Sequence, residues 1–126
     1  MTREQFFNYC RDYLSTSPDY PFDDANQTAV LRHESNRKWF GIVMYISKSK
    51  LGIHDSAYAD VLNVKLPLEM FGYFTEKDGV FPAYHMSKKH WVSILLEKAD
   101  DDTIKLLTNA SYDVTRSKVK KAKEKM

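Results

Sequence analysis

The sequence predicts an α+β fold: an antiparallel sheet of four or five strands flanked by N- and C-terminal helices. Three observations carry this expectation. A capped amphipathic pattern opens the chain, a succession of short alternating apolar stretches runs between residues 28 and 96, and a second helical pattern follows residue 100. The length of 126 residues suits one domain with one core, and 43% hydrophobic and 13% aromatic residues with only four Gly and four Pro exclude disorder and low-complexity architectures.

The first helix begins at Thr2-Arg3-Glu4-Gln5, a capping box in which the Thr hydroxyl serves the Gln5 amide and the Gln5 side chain returns to the Thr2 amide. Phe6, Cys10, Tyr13 and Leu14 recur at helical spacing as its apolar stripe, and the prolines between Ser15 and Pro21 end it. Thr28 to His33 and Trp39 to Ser47 are rich in β-branched and aromatic residues and are joined by Glu34-Ser35-Asn36-Arg37, which reads as a hairpin. Along the second strand Phe40, Ile42, Met44 and Ile46 alternate with Trp39, Val43 and Tyr45, so both faces are apolar and the strand is central.

Lys48 to Asp60 reads as a loop before a strand over Val61 to Leu66, with Leu62, Val64 and Leu66 inward and Asn63 and Lys65 on a wet face. Pro67 suits the first position of a short helix carrying Leu68, Met70 and Phe71 that Gly72 closes, and Asp78-Gly79 marks a turn. Val80 to Met86 reads as extended and Ser87-Lys88-Lys89 as a turn. His90 to Leu96 reads as the last strand, and Asp101 as the cap of a helix burying Ile104, Leu106, Leu107, Ala110 and Val114. The expected core holds Phe40, Ile42, Met44, Leu62, Val64, Trp91, Val92, Ile94 and Leu107. The expected domain spans 1–115, followed by a basic tail over 116–126.

That tail holds six basic residues and one acidic, so the chain's net +2 is a −3 body with a +5 end, a pattern that fits either nucleic acid or a solvated helix terminus. One cysteine and no signal-like N-terminus point to the cytoplasm, and no apolar run approaches the roughly 20 residues of a membrane span. A monomer or weak dimer is expected.

The stretch Phe81-Pro82-Ala83-Tyr84-His85-Met86-Ser87-Lys88-Lys89-His90-Trp91 sets polar and aromatic side chains directly against a strand. Pro82, Tyr84, His85, Met86, Lys88, Lys89, His90 and Trp91 together resemble the signature of the MmcQ/YjbR family. The resemblance extends to Tyr20-Pro21-Phe22, Val30-Leu31-Arg32-His33, Lys38-Trp39-Phe40, Asn63-Val64-Lys65 and Ser111-Tyr112-Asp113, nearly the whole chain. Ala83 stands where many members carry Gly, and Val64-Lys65-Leu66 where Leu-Lys-Cys is common. The resemblance implies a compact fold similar to frataxin-like or secretion-chaperone-like sheets, and DNA binding through a double-wing arrangement.

On the residues themselves, His85 and His90 with Tyr84, Lys88 and Lys89 can form an anion site, or Tyr84, His85 and Trp91 can be structural with only the lysines solvated. Arg32, Arg37, Lys38, Lys65, Lys88 and Lys89 are the candidate contacts to double-stranded DNA, with Trp39 and Trp91 as stacking or packing residues. The rival class is a protein- or peptide-interaction module using a sheet face or edge. Two His five residues apart make no metal site, and no nucleophile motif or Gly-rich phosphate loop is visible, so neither a cofactor nor catalysis is expected.

Overall fold

The computed structural model describes residues 1–116, so the tail beyond Arg116 lies outside the described residues. Helix α1 (Arg3–Leu14) leads into strands β1 (Ala29–Arg32) and β2 (Trp39–Ser47), a 3-10 turn over Lys48–Leu51, and β3 (Tyr58–Lys65). Helix α2 (Leu68–Phe74), strands β4 (Val80–Pro82) and β5 (Trp91–Leu95), and helix α3 (Asp101–Thr115) complete the chain. The five strands form one sheet in the order β1-β2-β3-β5-β4, with every neighbouring pair antiparallel. This is the α+β architecture expected from the sequence.

The capping box of α1 is present as expected, with Thr2 Oγ1 accepting from the Gln5 amide at 3.1 Å and the Gln5 side chain accepting from the Thr2 amide at 2.8 Å. The main core lies on the sheet face that the helices cover. It joins Phe6, Phe7 and Cys10 of α1 and Ile104 and Leu107 of α3 to Leu31, Val43, Leu62, Val64, Val92 and Ile94, with Met70, Phe71 and Phe74 of α2 packed at its margin. On the other face Ala59, Val61 and Leu95 gather a smaller cluster with Ile46, Leu51, Ile53 and Phe81.

Several expectations need correction. Phe40 does not share a face with Ile42: Leu31 pairs with Gly41 and Arg32 with Trp39, so Phe40 is the extra residue of a β-bulge. The bulge turns Phe40 into the helix-side core, where its ring meets Tyr112 at 5.1 Å. Gly41 beside it faces the side chains of Leu31 and Leu62, the nearest 3.3 Å from where a Cβ would sit.

Asn63, expected on a wet face, is fully buried, as is Ser93 beside it. Met44 and Trp91, expected in the core, are partly exposed, and Tyr13, Leu106 and Val114 are exposed. Gly72 lies within α2, whose C-cap is Thr75, and the cap of α3 is Asp100 rather than Asp101, its carboxylate accepting from the Thr103 amide at 2.7 Å. The extended reach after Val80 stops at Pro82, and β5 begins at Trp91 rather than His90.

The bulge opens the sheet between β2 and β3. Continuing their register beyond Ile42 and Asn63 would set Phe40 against Lys65, but that ladder bond is replaced by a side chain of α3. The Lys65 amide donates to Ser111 Oγ at 2.9 Å, and Ser111 Oγ–H donates to the Phe40 carbonyl at 2.6 Å. Ser111 is fully buried, so its loss strands a donor and an acceptor where water does not reach. Ser111→Ala is expected to destabilise the fold by about 1–3 kcal/mol, read as a lower urea midpoint at unchanged slope. A midpoint equal to wild type would show that the two backbone groups find other partners.

Candidate nucleic-acid interface

The strand register fixes which residues share an end of the sheet. β1 leaves at Arg32, β2 enters at Trp39, β3 leaves at Lys65, β4 leaves at Pro82 and β5 enters at Trp91. The β1–β2 turn with Arg37 and Lys38 and the β4–β5 turn with Lys88 and Lys89 therefore project from the same end, with Lys65 between them. All six cations singled out in the sequence are brought to this end. Arg116, at the close of α3, joins them, since Thr115 beside it meets His33.

Each turn has its own anchorage. In the β4–β5 turn, Tyr84 donates its amide to Ser93 Oγ at 2.9 Å and its carbonyl accepts from Asn63 Nδ2 at 2.8 Å. Ser93 Oγ–H donates to Asn63 Oδ1 at 2.5 Å and closes the triangle. His85 follows in the left-handed region at φ 61, and its ring lies 3.9 Å from that of Tyr84. The tip is a closed turn in which the Ser87 carbonyl accepts from the amides of His90 and Trp91, while the His90 carbonyl accepts from Leu66 at 2.8 Å. Lys88, Lys89, His85 and His90 are all exposed upon it, whereas Met86 is partly buried.

The β1–β2 turn is pinned to the end of α3. Asn36 Nδ2 donates to the Thr115 carbonyl at 3.0 Å, and the His33 ring packs against Phe40 and Tyr112. His33 Nε2 lies 2.8 Å from Thr115 Oγ1, whose own proton goes to the Ser111 carbonyl at 2.7 Å, so Nε2–H is the donor. Arg37 adopts φ 64, and Arg37 and Lys38 are exposed.

The charges are unequally compensated. Arg32 is paired with Asp19, and Arg116 with Asp113 at 4.0 Å. Among the described residues, Arg37, Lys38, Lys65, Lys88 and Lys89 enter no ion pair. The opposite end of the sheet carries Asp55, Asp78, Glu97 and the Asp100–Asp102 cap, with Lys48 bound to Asp55 and Glu97, and Lys98 to Asp78. The small net charge of the chain thus conceals a molecule polarised along its strands.

A cleft of about 430 Å³ lies beside the β1–β2 turn, lined by Arg32, Arg37, His33, Tyr112 and the hydroxyl residues that follow α1, together with Asp19 and Glu34. Its mixed charge and wide mouth give it no set of groups converging on one ligand atom. Among the described residues no three His, Cys, Asp or Glu side chains come together as metal ligands. Cys10 is buried in the helix-side core, and burial pushes its thiol pKa up to about 12.

The sequence reading missed Asn63 and Ser93 as the anchors of the motif turn. Their only signal was polar residues at directly paired positions of two neighbouring strands, Asn63 opposite Ser93.

The fold and site define a single-sheet α+β domain with one helix-covered face and a cationic end built from two hairpin turns. The YjbR family model matches residues 13–114, and the chain belongs to that family. It is 38% identical to the uncharacterised protein YyaQ of Bacillus subtilis over 92% of this chain and 99% of that protein. A crystal structure of a Pseudomonas syringae protein superposes with a TM-score of 0.87 at 37% identity, covering 92% of this chain and all of the other. The domain in Deinococcus radiodurans protein DR2400, at 21% identity and a TM-score of 0.56 over 88% of this chain and 75% of that one, shares the fold.

Burial pushes the His33 pKa below its ordinary value, helped by the charge of Arg116 and opposed by a hydrogen bond to the Tyr112 backbone and by Asp113. The folded state therefore favours neutral imidazole. Its contribution to stability is complete above the unfolded value of about 6.5 and is lost as pH falls from there through the lower folded value. The urea midpoint is expected to drop between about pH 7.5 and 5.5, and His33→Gln to flatten that drop. An equally steep profile in the variant would assign the dependence to other groups.

Proposed function

We propose that this protein binds DNA through the cationic end of its sheet, gripping backbone phosphates without reading sequence. One observation carries the proposal: strand register gathers Arg37, Lys38, Lys65, Lys88 and Lys89 at one end, with no carboxylate paired to any of them among the described residues. Arg32 contributes less because Asp19 already holds it. These side chains stand on turns and strand ends rather than along a helix, a setting suited to phosphate contact more than to base-edge readout. The two turns supply a counterpart to the double-wing description that the family resemblance implies.

The edge form of the rival protein- or peptide-interaction reading has less room. The β4 edge is three residues long and ends in Pro82, which has no amide to donate. The β1 edge is already bridged, with Val30 and Asp19 exchanging backbone bonds at 2.8 and 2.9 Å.

Fluorescence anisotropy of unrelated labelled duplexes across a range of salt tests the proposal. Affinity should fall steeply with salt and vary little with sequence. Lys88→Ala with Lys89→Ala should lower the magnitude of the log–log slope by nearly 2, at about 0.9 per lost phosphate contact. An unchanged slope in the folded double variant would remove this turn from the interface, and absence of binding at low salt to duplex and single strand alike would overturn the reading in favour of a protein partner.

A further inference from the structure

At the cationic end, four adjacent strands present cation and aromatic in alternation. Arg32 on β1 pairs with Trp39 on β2, and Lys65 on β3 pairs with Trp91 on β5, with β2 and β3 side by side. All four lie on the face away from the main core. Their chain neighbours Leu31, Phe40, Val64 and Val92 are each 0% exposed and belong to the helix-side cluster, so side-chain alternation turns Arg32, Trp39, Lys65 and Trp91 to the other side. Each of the four is partly exposed.

Neither tryptophan belongs to either apolar cluster of the core. Trp39 instead meets Phe22 at right angles, with ring centroids 5.9 Å apart, and Phe22 is itself 49% exposed. Aromatic surface therefore continues outward from the sheet into the loop that precedes β1. A duplex keeps its bases stacked on one another and offers a protein surface phosphate, sugar and base edges in the grooves, but no π-faces along its length. A single strand can present the π-faces of unpaired bases while its phosphates follow the cations, and interleaved aromatic and basic side chains are the chemistry such a strand requires.

We propose that the DNA held at this end is single-stranded, with unpaired bases stacking on Trp39 and Trp91 while Lys65 and the lysines of the β4–β5 turn follow the backbone. The inference rests on the phosphate-binding reading above and adds the strand form of the ligand. Trp39 and Trp91 stand two strands apart, about 10 Å at the usual strand spacing, with Lys65 between them. Successive or alternate bases of one strand can reach both.

The chain holds two tryptophans, and both lie in this row, so tryptophan-selective fluorescence reports on it alone. The wild-type protein is titrated at low salt with oligothymidylate and with an abasic oligomer of equal phosphate count. Oligothymidylate should quench the fluorescence and bind about a hundredfold more tightly, about tenfold for each stacked base, whereas the abasic strand should bind through its charge without quenching. Trp39→Ala and Trp91→Ala should each weaken oligothymidylate about tenfold and leave the abasic strand unchanged. Trp39→Phe, which keeps a stacking face and spares the fold, should retain most of the affinity. Equal affinity for both oligomers without base-dependent quenching would overturn the stacking role and leave the phosphate reading standing. No binding of either oligomer, or of duplex, would sink both.

Discussion

Where two strands part, backbone donors and acceptors lose their ladder partners inside the protein, and leaving them unpaired there costs more than forming them gains. The Phe40 bulge creates that situation between β2 and β3, and the hydroxyl of Ser111 resolves it by bridging the Lys65 amide and the Phe40 carbonyl. The rest of this end is built outward from that wedge. α3 is held against the opening, Thr115 one turn later reaches His33 and Asn36, and the β1–β2 turn is fixed to the helix terminus. On the opposite face Asn63 and Ser93 do the equivalent for the β4–β5 turn through the amide and carbonyl of Tyr84.

This arrangement separates two demands that usually conflict. For the proposed phosphate contacts, long cationic side chains must be exposed and free, while the backbone beneath them must stay in place for several contacts to act together. Here the tips carry the charge and the buried hydroxyl and amide groups carry the position. Polarisation along the strands follows: acids cap α3 and compensate lysines at the far end, while five basic side chains at the near end lack an ion-pair partner among the described residues. A field of this shape orients an approaching polyanion without demanding a large net charge.

Much of the fold was legible because it follows local rules. The capping box at Thr2, the alternation through Ile42, Met44 and Ile46, the turns at Asn36 and Asp78 and the helix over Ile104 and Leu107 are set by neighbours in sequence. The errors fall where partners distant in sequence decide. A bulge at Phe40 depends on how β1 meets β2, and within the strands only the interior Gly41 hints at it. Asn63 and Lys65 alternate with apolar residues as on a wet face, yet a loop some twenty residues later folds over the first and leaves the second partly exposed. Leu106 and Val114 fit a helical stripe that turns out to lie outside the contact with the sheet. The candidate cations were readable as residues, but their assembly at one end emerged only from the strand order.

The central claim, that buried side chains lock this end of the sheet where the ladder does not reach, is tested most directly by native-state amide hydrogen exchange. The amides of Lys65 and Tyr84 donate to no backbone carbonyl of the ladder, only to the hydroxyls of Ser111 and Ser93. They should exchange as slowly as the central amides of β3 and β5, through global unfolding. Exchange of these two amides as fast as those of Lys88 and Lys89 at the turn tip would contradict it.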